Sequence, residues 1–335
     1  MKKVICIGSA TKDIFIVLGE TTIKENLNSL IEKKVMSFEF GAKIYAEKLV
    51  EEIGGSAVNV ATGLTLGGCR SFVFARTDKS KLGKWIQKKI GQLRLKKNYM
   101  QTRGSDTSAV SAIISDKKHL DHTVIRTGDS VECFDLGKAL NKFKEKADWI
   151  YVGSLKKNSV KKLKQIIAFA ELKKTKLAFV PSSYQIENDI KELSKFFRYF
   201  EIIFLNRDEA IEILKNLNID FEDEPLNLLQ GVKSLGFKVV TITDGAEGAY
   251  ITNGEESYHL ETTDVEKQET VGAGDAFASG FLSTYIEDND IRKGLSWGII
   301  NSGAVLTEIG STKRLLKKKE LKKQSEKIIK KIKKI

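Results

Sequence analysis

The sequence contains few of the residues that cross-link a chain, bind metals or stiffen turns. Its 335 residues include two prolines, three cysteines and three histidines. The cysteines, Cys6, Cys69 and Cys133, are odd in number and far apart, which argues against a disulfide framework and a metal cluster. Buried thiols in a reducing cytosol are the simpler interpretation. So few histidines give little support for a histidine-based triad or metal site. With only two prolines, we expect glycine and asparagine to form most turns.

Long apolar runs are missing as well. No stretch of about 18 apolar residues occurs, so a membrane-spanning helix is not expected. The apolar run within the first eight residues is too short for a secretory signal and predicts a first buried strand. We therefore expect a cytoplasmic protein without a membrane partner.

The positive charge of the chain is concentrated at one end. Of the net charge of +12, the segment 313–335 carries +10, from 12 Lys or Arg and two Glu, which leaves +2 for the other 312 residues. Its apolar residues have helical spacing, which predicts a solvated basic C-terminal helix lying on the body. The nearly neutral body argues against nucleic acid as a partner. Contact of this segment with RNA or an anionic surface is the alternative.

Short apolar runs alternate with amphipathic stretches over most of the chain. This rhythm is typical of βαβ units, which form a mainly parallel sheet with helices on both faces. Ligands of such sheets bind at the carboxyl ends of the strands. The predicted strands are Val4–Ser9, Ser71–Ala75, Trp149–Gly153, Lys176–Pro181, Ile202–Asn206, Val239–Thr243 and Ala249–Ile251, and the helices between them include Gly83–Gln92, Val160–Leu172 and Asp208–Leu217.

Two β-rich regions interrupt this rhythm, at about residues 14–48 and 99–126. They predict a small antiparallel sheet, built from two excursions out of the main domain, that serves as a lid over the ligand edge. The expected organisation is a single α/β domain over residues 1–312 with this lid, followed by the basic segment 313–335. Exposed edges of lid strands would allow a homodimer through the lid.

The stretch Glu269–Phe277 is the most informative motif. Gly272, Ala273 and Gly274 directly precede Asp275 and an apolar helical pattern. Small residues at a helix start let a ligand approach bare backbone N–H groups, which attract an anion together with the helix dipole. A carboxylate beside such an anion hole suggests a base that deprotonates a nucleophile attacking phosphate.

A second glycine-rich block and an isolated aspartate have the character of an acceptor site. Gly54 and Gly55 can form a turn at which a ligand touches the backbone, and the amide of Asn59 suits the hydroxyls of a sugar. Packing that requires small residues explains the glycines equally well. Asp13, after the first strand, can accept from two hydroxyls, although a cap or turn is the commoner role of a single Asp.

Two further motifs follow predicted strands and have both functional and local explanations. Asn206 and Glu209 suit Mg²⁺ bound through water, and their spacing equally fits a helix capping box. The stretch Thr243–Ala249 is either a loop over nucleotide phosphates or a hairpin turn at Asp-Gly.

The common nucleotide signatures do not occur. The chain has no G-x-x-x-x-G-K-[ST] sequence, and no Asp-Phe-Gly or His-Arg-Asp of protein kinases. Gly272-x-Gly274 is followed by Phe277 where the dinucleotide fingerprint has Gly or Ala, and it lies far beyond the first strand.

Taken together, these residues resemble the ribokinase-like (PfkB) family of carbohydrate and nucleoside kinases. The matching signatures are Gly54–Ala61 and Thr270–Phe277, and the resemblance runs from Asp13 to about residue 310. It implies a three-layer ribokinase-like α/β sandwich with a mainly parallel central sheet and a small β-sheet lid.

The resemblance also implies an activity and a set of site residues. The activity is transfer of the ATP γ-phosphoryl group to a hydroxymethyl group of a small sugar, with Asp275 as the base and the Gly272–Asp275 backbone as the anion hole. The other residues carried over are Asn206 and Glu209 for Mg²⁺ and phosphates, Thr243, Gly245 and Gly248 for the nucleotide loop, Asn301 for the adenine pocket, and Asp13, Gly54, Gly55, Asn59 and Arg126 for the acceptor.

Departures from the family pattern and two other functions complete these expectations. Glu269 stands where many members have Asp, and its extra methylene argues against a monovalent-cation site on this carboxylate; the segment 180–183 lacks the family's Asp-Pro-Asn. One alternative is an adenosine-like nucleoside kinase whose lid holds the base, for which Phe15, Phe38 and Phe40 are candidates. The other is a non-catalytic ligand-binding relative whose basic tail contacts nucleic acid.

Overall fold

A nine-stranded sheet and a four-stranded sheet organise the chain in the computed structural model, which describes residues 1–19, 21–25, 34–102, 104, 108–118, 121–128 and 134–335. Cys133 and parts of the predicted lid (20, 26–33, 103, 105–107 and 119–120) lie outside the described residues. The strands, in chain order, are β1 (Lys3–Ile7), β2 (Thr11–Leu18), β3 (Thr22–Glu25), β4 (Lys34–Ser37), β5 (Lys48–Gly54), β6 (Arg70–Phe74), β7 (Arg76–Thr77), β8 (Gln101–Thr102), β9 (Ala109–Asp116), β10 (Asp121–Thr127), β11 (Trp149–Val152), β12 (Lys176–Phe179), β13 (Ile202–Asn206), β14 (Val239–Thr243), β15 (Ala249–Thr252), β16 (Ser257–Leu260) and β17 (Lys333–Lys334). The α-helices are α1 (Ser56–Leu66), α2 (Lys81–Gln92), α3 (Leu136–Lys142), α4 (Ser159–Lys173), α5 (Ser183–Asn188), α6 (Ile190–Leu193), α7 (Arg207–Asn216), α8 (Pro225–Ser234), α9 (Ala273–Asp288), α10 (Ile291–Val305) and α11 (Lys318–Ile328).

The large sheet is parallel over most of its width. Its strand order is β17-β16-β15-β14-β13-β12-β11-β1-β6, and every pair from β6 to β14 is parallel. Alternate residues of β1 enter two separate cores: Ile5 and Ile7 join one, and Val4 and Cys6 join the other. Helices therefore cover both faces, and the predicted three-layer α/β sandwich is confirmed. Cys6 and Cys69 are buried free thiols, as expected.

The strand order reverses at β1, which creates the crevice that positions the site. From β1 the chain crosses to β6 on one side and later returns to β11 on the other side. Neighbouring loops at such a switch point leave the sheet in opposite directions, and ligands bind between them. Residues after β1 and β11 are therefore placed to meet a ligand.

The four-stranded sheet is the lid, and its strand directions differ from the prediction of an antiparallel sheet. Its order is β10-β9-β2-β5, and the central pair β2 and β9 is parallel, while the outer pairs are antiparallel. The two excursions enter the lid in the same direction, so their first strands pair in parallel and their return strands lie outside. The return strand β5 was not predicted, because adjacent glutamates at Glu51 and Glu52 weaken its apolar pattern.

The basic C-terminal segment is helical over only part of the predicted range. Within 313–335 the α-helix spans Lys318–Ile328, and the chain then ends in β17, which pairs with β16 at the edge of the large sheet. An open sheet edge offers unpaired backbone groups, and here the tail covers it. Leu321 is buried against Trp297 and Ile300 of α10. No helix in the described part of the chain is both long and apolar enough to cross a membrane.

Candidate active site

A cavity of about 190 Å³ lies between the carboxyl ends of the large sheet and the lid. Six residues predicted from sequence line it together, although they come from distant parts of the chain. They are Asp13, Gly55, Asn59, Arg126, Gly272 and Asp275. Seven hydroxyl side chains complete most of the polar wall: Ser9, Thr11, Ser56, Ser111, Ser154, Ser182 and Ser311.

The start of α9 faces this cavity. Its two glycines differ in the space that a side chain at each position would have. Gly272 precedes the helix with φ +93°, and a Cβ there would lie 2.6 Å from the Cβ of Ser311. Any side chain at this position would therefore displace the helix start. A Cβ at Gly274 would meet nothing within 4 Å, so this residue leaves open space at the helix N-terminus. The Ala273 N–H makes a long bond of 3.3 Å to the Thr270 carbonyl, whereas the N–H groups of Gly274 and Asp275 have no backbone partner among the described residues. The start of the helix therefore fits an anion.

Asp275 lies in the first turn of α9 and is held by two side chains. Asn59 Nδ2 donates to its Oδ2 at 2.9 Å, and the Tyr151 hydroxyl donates to its Oδ1 at 3.3 Å. Burial raises the pKa of Asp275 to about 6, and the bonds from Asn59 and Tyr151 oppose this rise. A carboxylate with this pKa is mostly ionised at pH 7 and is a stronger base than an exposed aspartate, which suits it to take a proton from a hydroxyl.

Tyr151 is a site residue that sequence reasoning missed. It lies in β11, at the switch point, and is fully buried. Burial in contact with a carboxylate raises its pKa well above the usual value, so it stays a neutral hydrogen-bond donor. A signal was present in the sequence: a tyrosine within a predicted buried strand needs a partner for its hydroxyl.

Asn59 lines the cavity and is hydrogen-bonded to Asp275. Because only the amide NH₂ can donate to the Asp275 carboxylate, the orientation of the side chain is determined. Its Oδ1 is buried and has no hydrogen-bond partner among the described residues. An acceptor atom in this position suits a hydroxyl of a bound ligand.

Asp13 forms the lid side of the cavity. It accepts a hydrogen bond from Thr11 Oγ1 at 2.7 Å, and burial raises its pKa, while Thr11, Ser111 and the Arg126 charge oppose the rise. A Cβ at Gly54 would lie 1.8 Å from Asp13 Oδ2, so Gly54 is glycine because it makes room for this carboxylate. Gly54 is not among the described residues that line the cavity, and its ligand contact stays a prediction.

Asn206 and Glu209 form the capping box at the start of α7. Asn206 Oδ1 accepts from the Glu209 N–H at 2.7 Å, and Glu209 Oε2 accepts from the Asn206 N–H at 2.9 Å. Burial raises the pKa of Glu209 to about 7, and nearby carboxylates, including Asp275, act in the same direction. The capping box uses only one oxygen of the Glu209 carboxylate. The other oxygen fits a hydrated Mg²⁺ ion, since this ion keeps several of its waters. The local and the functional explanation are therefore compatible.

The predicted nucleotide loop follows β14, beside β13 in the sheet. Thr243 Oγ1 donates to the Leu205 carbonyl at 3.3 Å. Gly245 has φ +51° and open space around its Cβ position, whereas a Cβ at Gly248 would lie 2.1 Å from the Leu260 carbonyl oxygen. Gly245 can thus be approached by a ligand, and Gly248 is required by the fold of the loop.

Asn301 lies apart from the cavity lining and connects three segments. Its Nδ2 donates to the Ala276 carbonyl at 2.8 Å and to Ser279 Oγ at 3.3 Å, and its Oδ1 accepts from the Leu316 N–H at 3.0 Å. This buried amide joins α10 to α9 and to the C-terminal segment. We therefore assign it a structural role, and its adenine contact stays a prediction without support from these contacts.

Comparison with known proteins gives a family match over most of the chain. The model of the pfkB family carbohydrate kinases matches residues 2–318. The chain is 26% identical to an ATP-dependent 6-phosphofructokinase of Thermoanaerobacterium thermosaccharolyticum over 286 residues, which cover 83% of this chain and 86% of that protein.

Solved structures of low sequence identity share the fold. A nucleoside kinase of Methanocaldococcus jannaschii, an archaeal member of the ribokinase family, aligns with a TM-score of 0.73 and 16% identity over 98% of this chain and 99% of its own. The ribokinase of Cryptococcus neoformans in complex with ADP aligns with a TM-score of 0.75 and 15% identity over 96% and 99%.

A sheet with its site at the switch point, a lid, and a glycine-rich helix start carrying an aspartate define a small-molecule kinase of the ribokinase fold. With the family match over nearly its whole length, the chain belongs to the PfkB family of carbohydrate kinases. Members of this family are ATP-dependent kinases, and the chain is a sugar or nucleoside kinase.

Proposed function

We propose that this protein transfers the γ-phosphoryl group of ATP to a hydroxymethyl group of a small sugar. The observation that carries the proposal is the position of Asp275. Its carboxylate, with a pKa raised to about 6, lies at a helix N-terminus and in a cavity whose wall carries seven hydroxyl groups and the Asp13 carboxylate. This arrangement supports a base, an anion site and hydrogen-bonding groups within one small volume.

The proposed reaction assigns a task to each group. Asp275 accepts the proton of the attacking hydroxyl, a bond forms between that oxygen and the γ-phosphorus, and the bond to the β–γ bridging oxygen breaks to release ADP. Backbone N–H groups of Ala273, Gly274 and Asp275 would stabilise the charge on the transferred group. Asp13, Asn59 and Arg126 would orient the acceptor, and this positioning supplies much of the rate enhancement of phosphoryl transfer.

Asn206 and Glu209 are the residues proposed to hold Mg²⁺ through water. A bound Mg²⁺ ion would neutralise negative charge on the nucleotide phosphates. Gly245, whose surroundings are open, and Thr243 are proposed to contact the nucleotide beside them.

The walls of the cavity favour a sugar over a nucleoside. None of the described side chains lining it is aromatic. Phe15 is buried in the lid core with Val17 and Ile113, while Phe38 and Phe40 are exposed and do not line the cavity. A nucleobase gains much of its binding energy by stacking on aromatic rings, and hydroxyl groups gain theirs from hydrogen bonds.

A panel of acceptors tests the proposal directly. We expect ADP release to require both Mg²⁺ and a small sugar, with a kcat/KM at least about tenfold higher for the best sugar than for any nucleoside, because the described lining offers no aromatic ring for stacking. Coupled-enzyme measurement of ADP across sugars, sugar phosphates and nucleosides gives the answer. Preference for a nucleoside would assign the alternative function of the same fold.

A non-catalytic relative with a nucleic-acid-binding tail is the competing proposal from another class. Against it, several tail lysines pair with carboxylates of the body: Lys318 with Glu287 at 2.7 Å, Lys333 with Glu261 at 2.7 Å and Lys334 with Glu256 at 3.3 Å. The tail is thus partly neutralised by the body. Absence of turnover with every acceptor, together with salt-sensitive RNA binding lost on deletion of 313–335, would favour this function instead.

The outer face of the lid is the proposed contact for a homodimer. Ile14 and Ile125 lie on either side of Ala112, and Ile16 lies between Ile114 and Leu49, so these residues share one face of the lid sheet. They form an apolar surface on it, with Ile125 59% and Leu49 62% exposed. Apolar faces of this kind favour association with a second copy. We expect sedimentation equilibrium to give a dimer mass that Leu49→Glu lowers to the monomer mass. A monomer at all concentrations would exclude the dimer.

A further inference from the structure

Glu269 lies directly before the anion-hole loop and is buried, with 3% of its surface exposed. Its Oε1 accepts from the backbone N–H of Thr270 at 2.8 Å and of Val271 at 3.2 Å. Its Oε2 accepts from the hydroxyl of Ser115, a lid residue in β9. The carboxylate therefore bonds at once to the loop that leads into α9 and to the lid.

A second lid strand meets the same loop. His122, in β10, makes a 2.9 Å hydrogen bond between its Nδ1 and Thr270 Oγ1, and this nitrogen lies 3.8 Å from Glu269 Oε1. Ser115 and His122 are cross-strand partners in the lid sheet, so the two contacts act on one rigid unit. That unit also carries Ser111 and Arg126 into the cavity.

The resemblance to the kinase family raises the question of whether Glu269 binds a monovalent cation. The contacts of its carboxylate answer this question. A cation needs oxygen acceptors directed toward it. Here both oxygens of the carboxylate are turned toward N–H and O–H hydrogens, and a cation bound to the same oxygens would face those positive hydrogens. The N–H and O–H groups around this carboxylate therefore do not fit a bound cation.

We propose that Ser115, His122 and Glu269 are positioning residues that replace such a cation: hydrogen bonds from the lid hold the anion-hole loop, and the enzyme needs no monovalent cation. The longer side chain explains the choice of residue, because an aspartate would withdraw the carboxylate by about one C–C bond (~1.5 Å) from Ser115. These bonds keep the lid, which orients the acceptor, at a constant position relative to the loop that receives the phosphoryl group.

The inference rests on the proposed anion-hole role of the loop, and two of its tests need no acceptor. In ligand-free protein, Ser115→Ala is expected to speed amide hydrogen exchange at least about tenfold in both 269–275 and the lid strands, because the tether between them is lost. Ser296→Ala is the matched control, since it removes a buried hydrogen bond to Ser325 at a remote site. Unchanged exchange in 269–275 of Ser115→Ala, or an equal increase there in Ser296→Ala, would overturn the proposal.

The cation itself is tested by salt replacement at constant ionic strength. We expect the unfolding midpoint of the wild-type protein, with and without Mg-ATP, to be the same in potassium chloride and in tetramethylammonium chloride. A midpoint raised specifically by potassium would contradict the proposal.

Turnover separates positioning from stability once an acceptor is identified by the panel. We expect Ser115→Ala to lower kcat about tenfold with a smaller change in the KM for ATP, because a displaced loop impairs the transition state more than nucleotide binding. Ser296→Ala should keep the wild-type kcat, and wild-type turnover should be equal in both salts. Several-fold activation by potassium, or a wild-type kcat in Ser115→Ala, would refute the inference, whereas absence of any acceptor would bear only on the proposed function.

Discussion

Asp275→Asn is expected to lower kcat by about 10²–10⁴-fold while the fold is retained, because an amide cannot take the proton of the attacking hydroxyl. The change preserves shape and the neighbours Asn59 and Tyr151. The measurement is steady-state turnover with the best acceptor of the panel, together with the thermal unfolding midpoint.

The unfolding midpoint makes this test specific for catalysis. The folded-state pKa of about 6 lies above the ordinary value of 3.8, so burial disfavours the ionised form of Asp275. The stability that the protonated form contributes is present below pH 3.8 and is lost as pH rises through 6. At pH 7 the asparagine variant should therefore be at least as stable as the wild type. A variant with near-normal turnover would remove Asp275 from the role of base.

Asp290→Asn provides the matched control. Asp290 also begins a helix, where its Oδ1 accepts from the N–H groups of Arg292 and Lys293. Asparagine is an equally good cap, so this variant should keep both stability and turnover. A loss of activity there would show that Asp→Asn exchange at a helix start affects the enzyme without any role in chemistry.

Asn59→Asp is expected to lower kcat/KM at pH 7 by roughly 10- to 100-fold and to move the acidic limb of the pH profile upward by at least about one unit. In the wild type this limb should follow Asp275, with kcat/KM falling tenfold per unit below about pH 6. The substitution removes the donor at 2.9 Å and adds a carboxylate in its place. Two adjacent carboxylates titrate as a pair, and the second proton is lost only at higher pH.

Partial recovery of the Asn59→Asp variant at alkaline pH identifies the cause as protonation. Activity measured between pH 5 and 9 should rise toward the wild-type value at the upper end. Asn59→Ala is the control, since it removes the same hydrogen bond without adding charge, and its limb should move much less. An unshifted limb in Asn59→Asp would show that another group governs the pH dependence.

Local signals account for much of what could be predicted. Strand alternation, a helix start and a run of small residues each involve neighbours in the chain, so Ile202–Asn206 and Val239–Thr243 have the predicted bounds. The capping box at Asn206 and Glu209 is local in the same sense. By contrast, β5 was missed because its pattern is broken by charge, and the parallel pairing of β2 with β9 is a property of two separated excursions.

The site itself shows where prediction from sequence ends. Glycine identity alone could not separate Gly54, which makes room for Asp13, from Gly274, which leaves open space for a ligand. Tyr151 and His122 belong to no sequence motif, and their hydrogen bonds are seen only in the structure. Asn301 matches a family position, yet its amide is hydrogen-bonded to other residues of the chain. Each of these roles depends on residues that are distant in the sequence and close in the folded protein.

The amino-acid sequence by itself determined the fold class, the glycine-rich helix start with Asp275, and the polar residues that follow the strands, because these depend on short-range periodicity and residue chemistry. Only the tertiary structure decided which of them act together. The bonds that join Asn59 and Tyr151 to Asp275, and Ser115 to Glu269, span 216, 124 and 154 positions of the chain. Strand order and lid register set such contacts, and these arise from the packing of the whole molecule rather than from any local pattern.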